Sequence, residues 1–354
     1  MHLPHLSRRD FLLAGAAMAA GATAFAKPLR KPVVSVVRIK NDKIGTAVEE
    51  AIDLLGGIEH VTKGKHSVML KPNLVSSDSR MTTKPEVVRT IAQLMQRACK
   101  EVSIGEGSAA VPKFNIVGAD TYRTRKREIL DPMQQYVFDQ LGYTDLAKAL
   151  RVPLVNLHCG DMANVAVPGA FVFDKVTIHR SLTEVDLLCS VPMMKTHQLA
   201  TVTLGMKNLI GVYPGTVYQS IRGQVHDLTS EVDPTGTAAA IVDMVRANKL
   251  GLVVVDGSMA MEGNGPSLGP LVKMDIIVAG TNPIATDMVA ASLMGFEPHE
   301  IPTFAWANKA GMTPSSVEEI EIRGEALDRA RRPFAKPQVY AWKNVRAYWG
   351  SKEI

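Results

Sequence analysis

The strongest constraint on this fold is an alternation that repeats along most of the chain: a short β-branched run, a segment with helical spacing, then another β-branched run. Pro32 to Ile39 (PVVSVVRI) reads as a strand, and TAVEEAIDLLGG after it has apolar residues at helical spacing and stops at glycine. His66 to Leu70 is the next strand and runs into KPNLV. KPEVVRTIAQLMQRACK is an amphipathic helix with Pro85 in its first turn, and EVSIGEGS returns as a strand. Strand, crossover helix and strand make a β-α-β unit, so a parallel sheet is expected.

From about Ala110 to Leu150 the chain is polar, and PMQQYVFDQLG and TDLAKAL read as helices on an excursion from the sheet. Strands are expected at VPLVNLH, FVFDKVTIH and the buried TEVDLLCSVP, followed by the helix PTGTAAAIVDMVRANK and the strands GLVVVDGS and MDIIVAG. The helices NPIATDMVAASLMGF and TFAWANKAG and the strand VEEIEIRG complete a domain spanning 27–330. The basic, aromatic segment 331–354 reads as a tail draped over the surface. The fold class is therefore α/β, a mostly parallel or mixed sheet flanked by helices. VMLKPN with EVSIGEGSA rhymes with LLCSVPMMK and GLVVVDGSM, so two similar β-α-β halves, about 27–150 and 151–330, are one reading.

The first 26 residues stand outside this pattern. Ser7-Arg8-Arg9-Asp10-Phe11-Leu12, a mild apolar run and Ala24-Phe25-Ala26 form a twin-arginine signal peptide. Cleavage after Ala26, carriage by the twin-arginine translocase and a periplasmic location are expected. The net charge of +5 is spread over 40 basic and 35 acidic residues without a basic arm, which favours a small anionic ligand over nucleic acid. Cys99, Cys159 and Cys189 have no iron–sulfur spacing. They read as buried thiols, with one disulfide as the alternative and no basis for choosing its pair.

Charge in an apolar setting marks the candidate site. The stretch SVPMMKTHQLATVTLGMKNLIGVYPG places Lys195, His197 and Lys207 among small and apolar residues directly after a buried strand. In open α/β sheets ligands gather at the carboxyl ends of strands, where Lys71, Asn73 and Lys195 fall. Lys207 and Asn208 follow a glycine and offer donors suited to carboxylate or phosphate. Asp256, ending a three-valine strand, and Glu262, in a Gly- and Pro-rich loop, suit metal ligation or an acid–base pair, with His197 as base or third ligand. Asp287 lies in the first turns of an apolar helix, where a structural role is credible. His226 and Asp227 are weaker candidates, and His158 and His179 weaker again. Gly105 to Ala110 matches a dinucleotide fingerprint in form, but no helix opens after it, so a Rossmann cofactor site is rejected.

These residues resemble the domain of unknown function 362 family. The resemblance rests on KPNLV at 71–75, KTH at 195–197, GMKNLIG at 205–211, VVDGSMAMEGNGP at 254–266 and AGTNPIATDMVAASLMGF at 279–296. It implies an α/β fold. Relatives with ferredoxin-like cysteine modules imply iron–sulfur or redox association, but this chain has no such module. GMKNLIGVYPG is also similar to a lysine-and-proline-glycine segment of nickel-pincer lactate racemases, which implies cofactor- or metal-assisted chemistry at a carboxylate.

The expectation is an exported enzyme acting on a small carboxylate- or phosphate-bearing substrate with help from a divalent metal or cofactor. His197, Lys195 and Glu262 would be catalytic, Lys71, Asn73, Lys207 and Asn208 would bind substrate, and Asp256, Glu262 and His197 would hold the metal. The alternative is a non-catalytic anion- or metal-binding accessory protein that serves a redox partner.

Overall fold

The computed structural model describes residues 30–118, 120–339 and 352. The expected signal peptide and most of the tail lie outside the described residues. The described residues from Pro32 onward belong to one compact unit.

The first part of the chain supplies β1 (Val33–Arg38), α1 (Ile44–Leu54), β2 (Ser67–Pro72), α2 (Pro85–Arg97), β3 (Glu101–Glu106), α3 (Arg127–Gln140), α4 (Tyr143–Leu150) and β4 (Leu154–Asn156). A hairpin of β5 (Met162–Ala166) and β6 (Lys175–His179) follows, and then β7 (Leu187–Val191), β8 (Met193–His197) and β9 (Thr201–Thr203). Beyond them lie the single-turn helix α5 (Gly205–Asn208), α6 (Gly223–Thr229), α7 (Ala238–Ala247), β10 (Leu250–Met261), β11 (Ile276–Gly280), α8 (Pro283–Leu293), α9 (Pro302–Lys309) and β12 (Glu321–Gly324).

One mixed sheet runs in the order β12-β1-β11-β10-β7-β2-β3-β4. β11 is antiparallel to both neighbours, and the remaining pairs along this path are parallel. The strands are apolar on both faces because helices cover both. On β10, Leu252 and Val254 enter one core while Val253 and Val255 enter the other. Each such fully buried side chain contributes about 1.5–3 kcal/mol relative to exposure.

Two crossovers run outward from the central β2–β7 pair. β2 passes through α2 to β3 on one side, and β7 leads through α7 to β10 on the other. Val87, Val88 and Ile91 of α2 pack in one core, and Ile241, Val242 and Val245 of α7 pack in the opposite one. The order reverses between β2 and β7, which makes their carboxyl ends a topological switch point. Lys71 pairs in register with Ser190 there, and Pro72 with Val191.

Three local expectations are corrected. The strand at GLVVVDGS continues to Met261, so Asp256 lies within a strand instead of ending one. β8 pairs alongside this extension, and Gly257 lets Ile276 pack close: a Cβ there would lie 2.7 Å from Ile276. The start of the tail is fixed to the body rather than draped over it. Arg332 and Phe334 donate their amides to the carbonyls of Leu293 and Met294, and the Phe334 ring is buried. No helix among the described residues is long and apolar enough to cross a membrane. Cys159 and Cys189 are buried free thiols, whereas Cys99 is exposed, which corrects the expectation of three buried thiols.

Candidate functional site

The strand period of two places Lys71 on the same face of β2 as buried Met69, so its ammonium enters the interior under α5. It is 1% exposed and fully bonded. Its Nζ donates to Glu106 at 2.8 and 2.9 Å, to Asn208 Oδ1 at 2.9 Å and to the Pro72 carbonyl at 3.0 Å. Glu106, at the end of β3, also accepts from the amides of Leu74 and Gly107, both at 2.8 Å. Burial lowers the Lys71 pKa while Glu106 raises it. Asn208 returns its amide to the Lys71 carbonyl and to Ser190 Oγ, both at 3.0 Å, which ties β2, β7 and α5 together. Gly211 is required beside this knot, since a Cβ there would lie 2.6 Å from both Lys71 Nζ and Glu106 Oε1.

Arg222 closes the knot from above. Its guanidinium, 1% exposed, donates only to carbonyls: Ile210 at 3.1 Å, Ser108 at 3.0 Å, Gly211 at 2.7 Å and Gly107 at 2.5 Å. No carboxylate pairs with it among the described residues, and burial lowers its pKa to about 10. Its backbone carries strain, because Gln219, Ile221 and Arg222 adopt positive φ of 67°, 51° and 58°. For a β-branched residue such as Ile221 this is a genuine outlier, of the kind that surrounding structure must enforce.

β8 presents the KTH residues. Lys195 is fully buried and donates to the Met81 carbonyl at 2.7 Å. Burial, with Lys207 nearby, lowers its pKa to about 7. His197 Nδ1 accepts from the amides of Leu199 at 3.0 Å and Ala200 at 3.3 Å. Those donors fix the neutral tautomer with the proton on Nε2, which has no protein acceptor among the described residues. Burial first, and then Lys207 and Lys195, hold the imidazole pKa well below its usual value.

Lys207 is set by Asp287. Both carboxylate oxygens of Asp287, on α8, accept amides that open the turn of α5: Gly205 at 2.7 Å and Met206 at 2.8 Å. Burial raises the pKa of this acid to about 7, against the pull of the two amides. Gly205 permits the approach, since a Cβ would meet Val253 at 2.5 Å and Asp287 Oδ1 at 2.9 Å. Lys207 is part-buried, and its Nζ has no hydrogen-bond or ion-pair partner among the described residues. Burial, Lys71 and Arg222 together lower its pKa to about 7. Asn73, half-buried at the end of β2, gives Nδ2 to Asn208 Oδ1 at 3.0 Å, while its own Oδ1 is buried without a partner.

The structure thus brings Lys71, Asn73, Lys195, His197, Lys207 and Asn208 to one end of the sheet. It does not bring Asp256 and Glu262 into that set. The Asp256 carboxylate accepts from the Lys84 amide at 2.9 Å, the Ser258 amide at 3.0 Å and Ser258 Oγ at 2.6 Å, and burial raises its pKa. Glu262 turns outward to the Ala335 amide at 3.0 Å and anchors the segment after α9. No group of three metal-ligating side chains occurs among the described residues. The donors present do not fit the expected divalent ion: His197 offers a protonated nitrogen, the carboxylates are bonded to amides, and the remainder are cations. The weaker histidines are structural or adjoin the site. His158 bridges the Ser108 carbonyl at 2.7 Å and the Gly215 amide at 3.0 Å, and His179 bonds Ser181 Oγ at 2.8 Å. His226 donates Nδ1 to Gly236 at 2.7 Å, with its pKa lowered to about 4 by burial, and Asp227 pairs with Arg123 at 2.7 Å.

Arg222 and the clamp by Asp287 escape sequence reading, because both depend on chain segments that meet only in the fold. Glu106 was visible as the acid of EGS, but its pairing with Lys71 was not. A separate cleft of about 520 Å³, lined by Ser67, Gln96, Glu101 and Arg151 among others, lies at the opposite, amino edge of the sheet, away from these groups.

The chain is similar to several known proteins. The chain is 27% identical over 291 residues to "Thylakoid-associated protein sll1697" of Synechocystis sp. (strain PCC 6803), covering 80% of this chain and 81% of that one. Among solved structures it is similar to a lactate racemase apoprotein from Thermoanaerobacterium thermosaccharolyticum, at 14% identity and a TM-score of 0.44 over 75% of this chain. The match spans only 57% of the racemase. A Thermotoga maritima protein solved by structural genomics is similar at 14% identity and a TM-score of 0.36, over 69% of this chain and 56% of that one. The family model described as "Domain of unknown function (DUF362)" matches residues 68–292, more than half of the chain and the whole stretch from β2 through most of α8, and the chain belongs to that family.

Proposed function

We propose that this is an exported enzyme that binds a small carboxylate- or phosphate-bearing molecule at the carboxyl ends of β2 and β7. One observation carries the reading: the buried cations outnumber the carboxylates that face them. Lys71 has Glu106, but Lys195, Lys207 and Arg222 have no carboxylate partner among the described residues. Unpaired charge inside a protein is costly, so such a site is completed by an anion. Lys195, Lys207, the His197 Nε2 proton and Asn73 are the groups with capacity to receive it. Lys71, Asn208 and Arg222 already use their donors and hold the frame.

The twin-arginine pattern and Ala24-Phe25-Ala26 support export to the periplasm. The donor set points to metal-free handling of the anion, in which the lysine groups exchange protons and the neutral His197 imidazole donates a hydrogen bond from Nε2. A phosphate-bearing organic cofactor would satisfy the same cations as a substrate. A non-catalytic accessory protein is the second reading, favoured by one feature: the 520 Å³ cleft lies at the other sheet edge, and the cationic groups are largely enclosed.

Titration calorimetry of the mature chain with inorganic phosphate and with lactate tests the site. Saturable binding that weakens at least tenfold in Lys195→Met or Lys207→Met is expected. Binding unchanged in both variants would overturn the assignment. Turnover of a bound organic acid, followed by nuclear magnetic resonance, separates the enzyme from the accessory protein.

A further inference from the structure

We propose that Lys207 is a covalent attachment site, whose ε-amine condenses with the carbonyl group of a small oxo acid to form an imine. The inference rests on the anion-binding reading and deepens it by naming the substrate class. Its basis is the contrast among three lysines at one sheet edge. Lys71 is held as an ammonium by a carboxylate, an amide oxygen and a carbonyl. Lys195 is fully buried and directs a proton at the Met81 carbonyl. Lys207 has no acceptor among the described residues, and it alone of the three retains access at the surface.

A lysine in that position gives up its proton readily, and the lone pair of the neutral amine is unengaged. Its cationic neighbours Lys71 and Arg222 act in the same direction, as does burial, and its pKa falls to about 7. Lysines desolvated beside other cations are the ones that serve as nucleophiles. The clamp of Asp287 on Gly205 and Met206 fixes the turn from which the amine projects. An oxo acid suits the surroundings: its carboxylate offsets Lys195 and Arg222 while its carbonyl carbon meets Nζ.

The step balances without an oxidant or reductant. The Nζ lone pair attacks the carbonyl carbon, the π pair moves to oxygen, and the oxygen takes a proton to give a carbinolamine. Nitrogen releases one proton, the hydroxyl takes a second proton and leaves as water as the nitrogen lone pair forms the C=N bond, and loss of the remaining N–H proton gives the neutral imine. The groups that titrate around this amine are Lys195 and His197 on β8, Lys71 on β2, Arg222 ahead of α6, and His226 within α6. The Lys195 ammonium is the available acid, and the neutral His197 imidazole offers its Nε2–H as a hydrogen-bond donor to the carbonyl oxygen.

The test is reductive trapping with pyruvate and cyanoborohydride at pH 7, with the adduct located by peptide mass spectrometry. The expected result is an adduct on Lys207 forming at least tenfold faster than on exposed lysines such as Lys63, suppressed by lactate, and absent from that peptide in Lys207→Met. Should that variant misfold, the wild-type pH profile decides: Lys207 labelling rises around pH 7, whereas Lys63 behaves as an ordinary amine. Labelling of Lys207 no faster than Lys63 would overturn the proposal. Parallel calorimetry separates the two readings. Saturable pyruvate binding without an adduct removes the imine and leaves the anion site, and neither binding nor adduct removes both.

Discussion

Lys71 and Lys207 are lysines at one sheet edge that meet opposite fates. Lys71 is surrounded by oxygen: Glu106 takes its charge, and Asn208 and Pro72 take its remaining protons. Lys207 is surrounded by other cations and by no acceptor among the described residues. The difference separates a structural ion pair from a reactive group, although both amines are largely withdrawn from solvent. What fixes the role of a buried lysine here is the count of acceptors, not depth.

Removing the compensation at Lys71 should have the largest effect. Glu106→Gln leaves Lys71 buried without its carboxylate and is expected to cost about 3–5 kcal/mol in chemical denaturation. Lys71→Met added to it should recover part of that loss, whereas no recovery would mean that Glu106 acts mainly through the Leu74 and Gly107 amides. The uncompensated side should reveal itself through pH. Lys195 and Lys207 have folded pKa values of about 7, below the unfolded value near 10.4, so the folded chain binds fewer protons in between. Stability should therefore rise from about pH 7 towards pH 10, by up to about 1.4 kcal/mol per pH unit for each lysine. Lys195→Met with Lys207→Met should flatten that limb, and a wild-type profile already flat there would break the contrast with Lys71.

Asp287 has the opposite sign. Its folded pKa of about 7 lies above the unfolded value near 3.9, so its contribution is full below pH 4 and is lost as pH rises through 7. Asp287→Asn should remove the falling limb and cost about 1–3 kcal/mol, since one of the two clamped amides loses its acceptor. It should also slow trapping at Lys207, a readout that general destabilisation far below the melting point does not move. The smallest effect belongs to Glu262→Gln. Its contact with the Ala335 amide is exposed, so a change of about 0.5 kcal/mol or less and unaltered anion binding are expected. A tenfold loss of anion binding would return Glu262 to the site.

The alternation of β-branched and helical segments was sufficient to read the α/β sheet, because a strand covered on both faces must be apolar throughout, as VVV in β10 is. The polar residues at strand ends located the sheet edge for the same reason: a lysine following LLCSVPMM must leave the core or be answered within it. The pairing itself was not readable. Lys71 and Glu106 are 35 positions apart and Asp287 clamps amides 81 and 82 positions away, and no periodicity records such meetings. Asp256 misled because three valines before an acid look like a strand end, while pairing with β8 carries the strand onward to Met261. Glu262 misled because a glycine-rich loop reads the same whether it rims a site or packs a tail.

The positive φ angles at Gln219, Ile221 and Arg222 also govern timing. Such conformations cost about 1–3 kcal/mol each and hold only while their surroundings enforce them. A chain that has collapsed but not yet locked its sheet edge therefore has no fixed place for the Arg222 guanidinium. The frame around Arg222 exists only with its enclosing segments in place, and an anion bound as proposed would add to what holds them together.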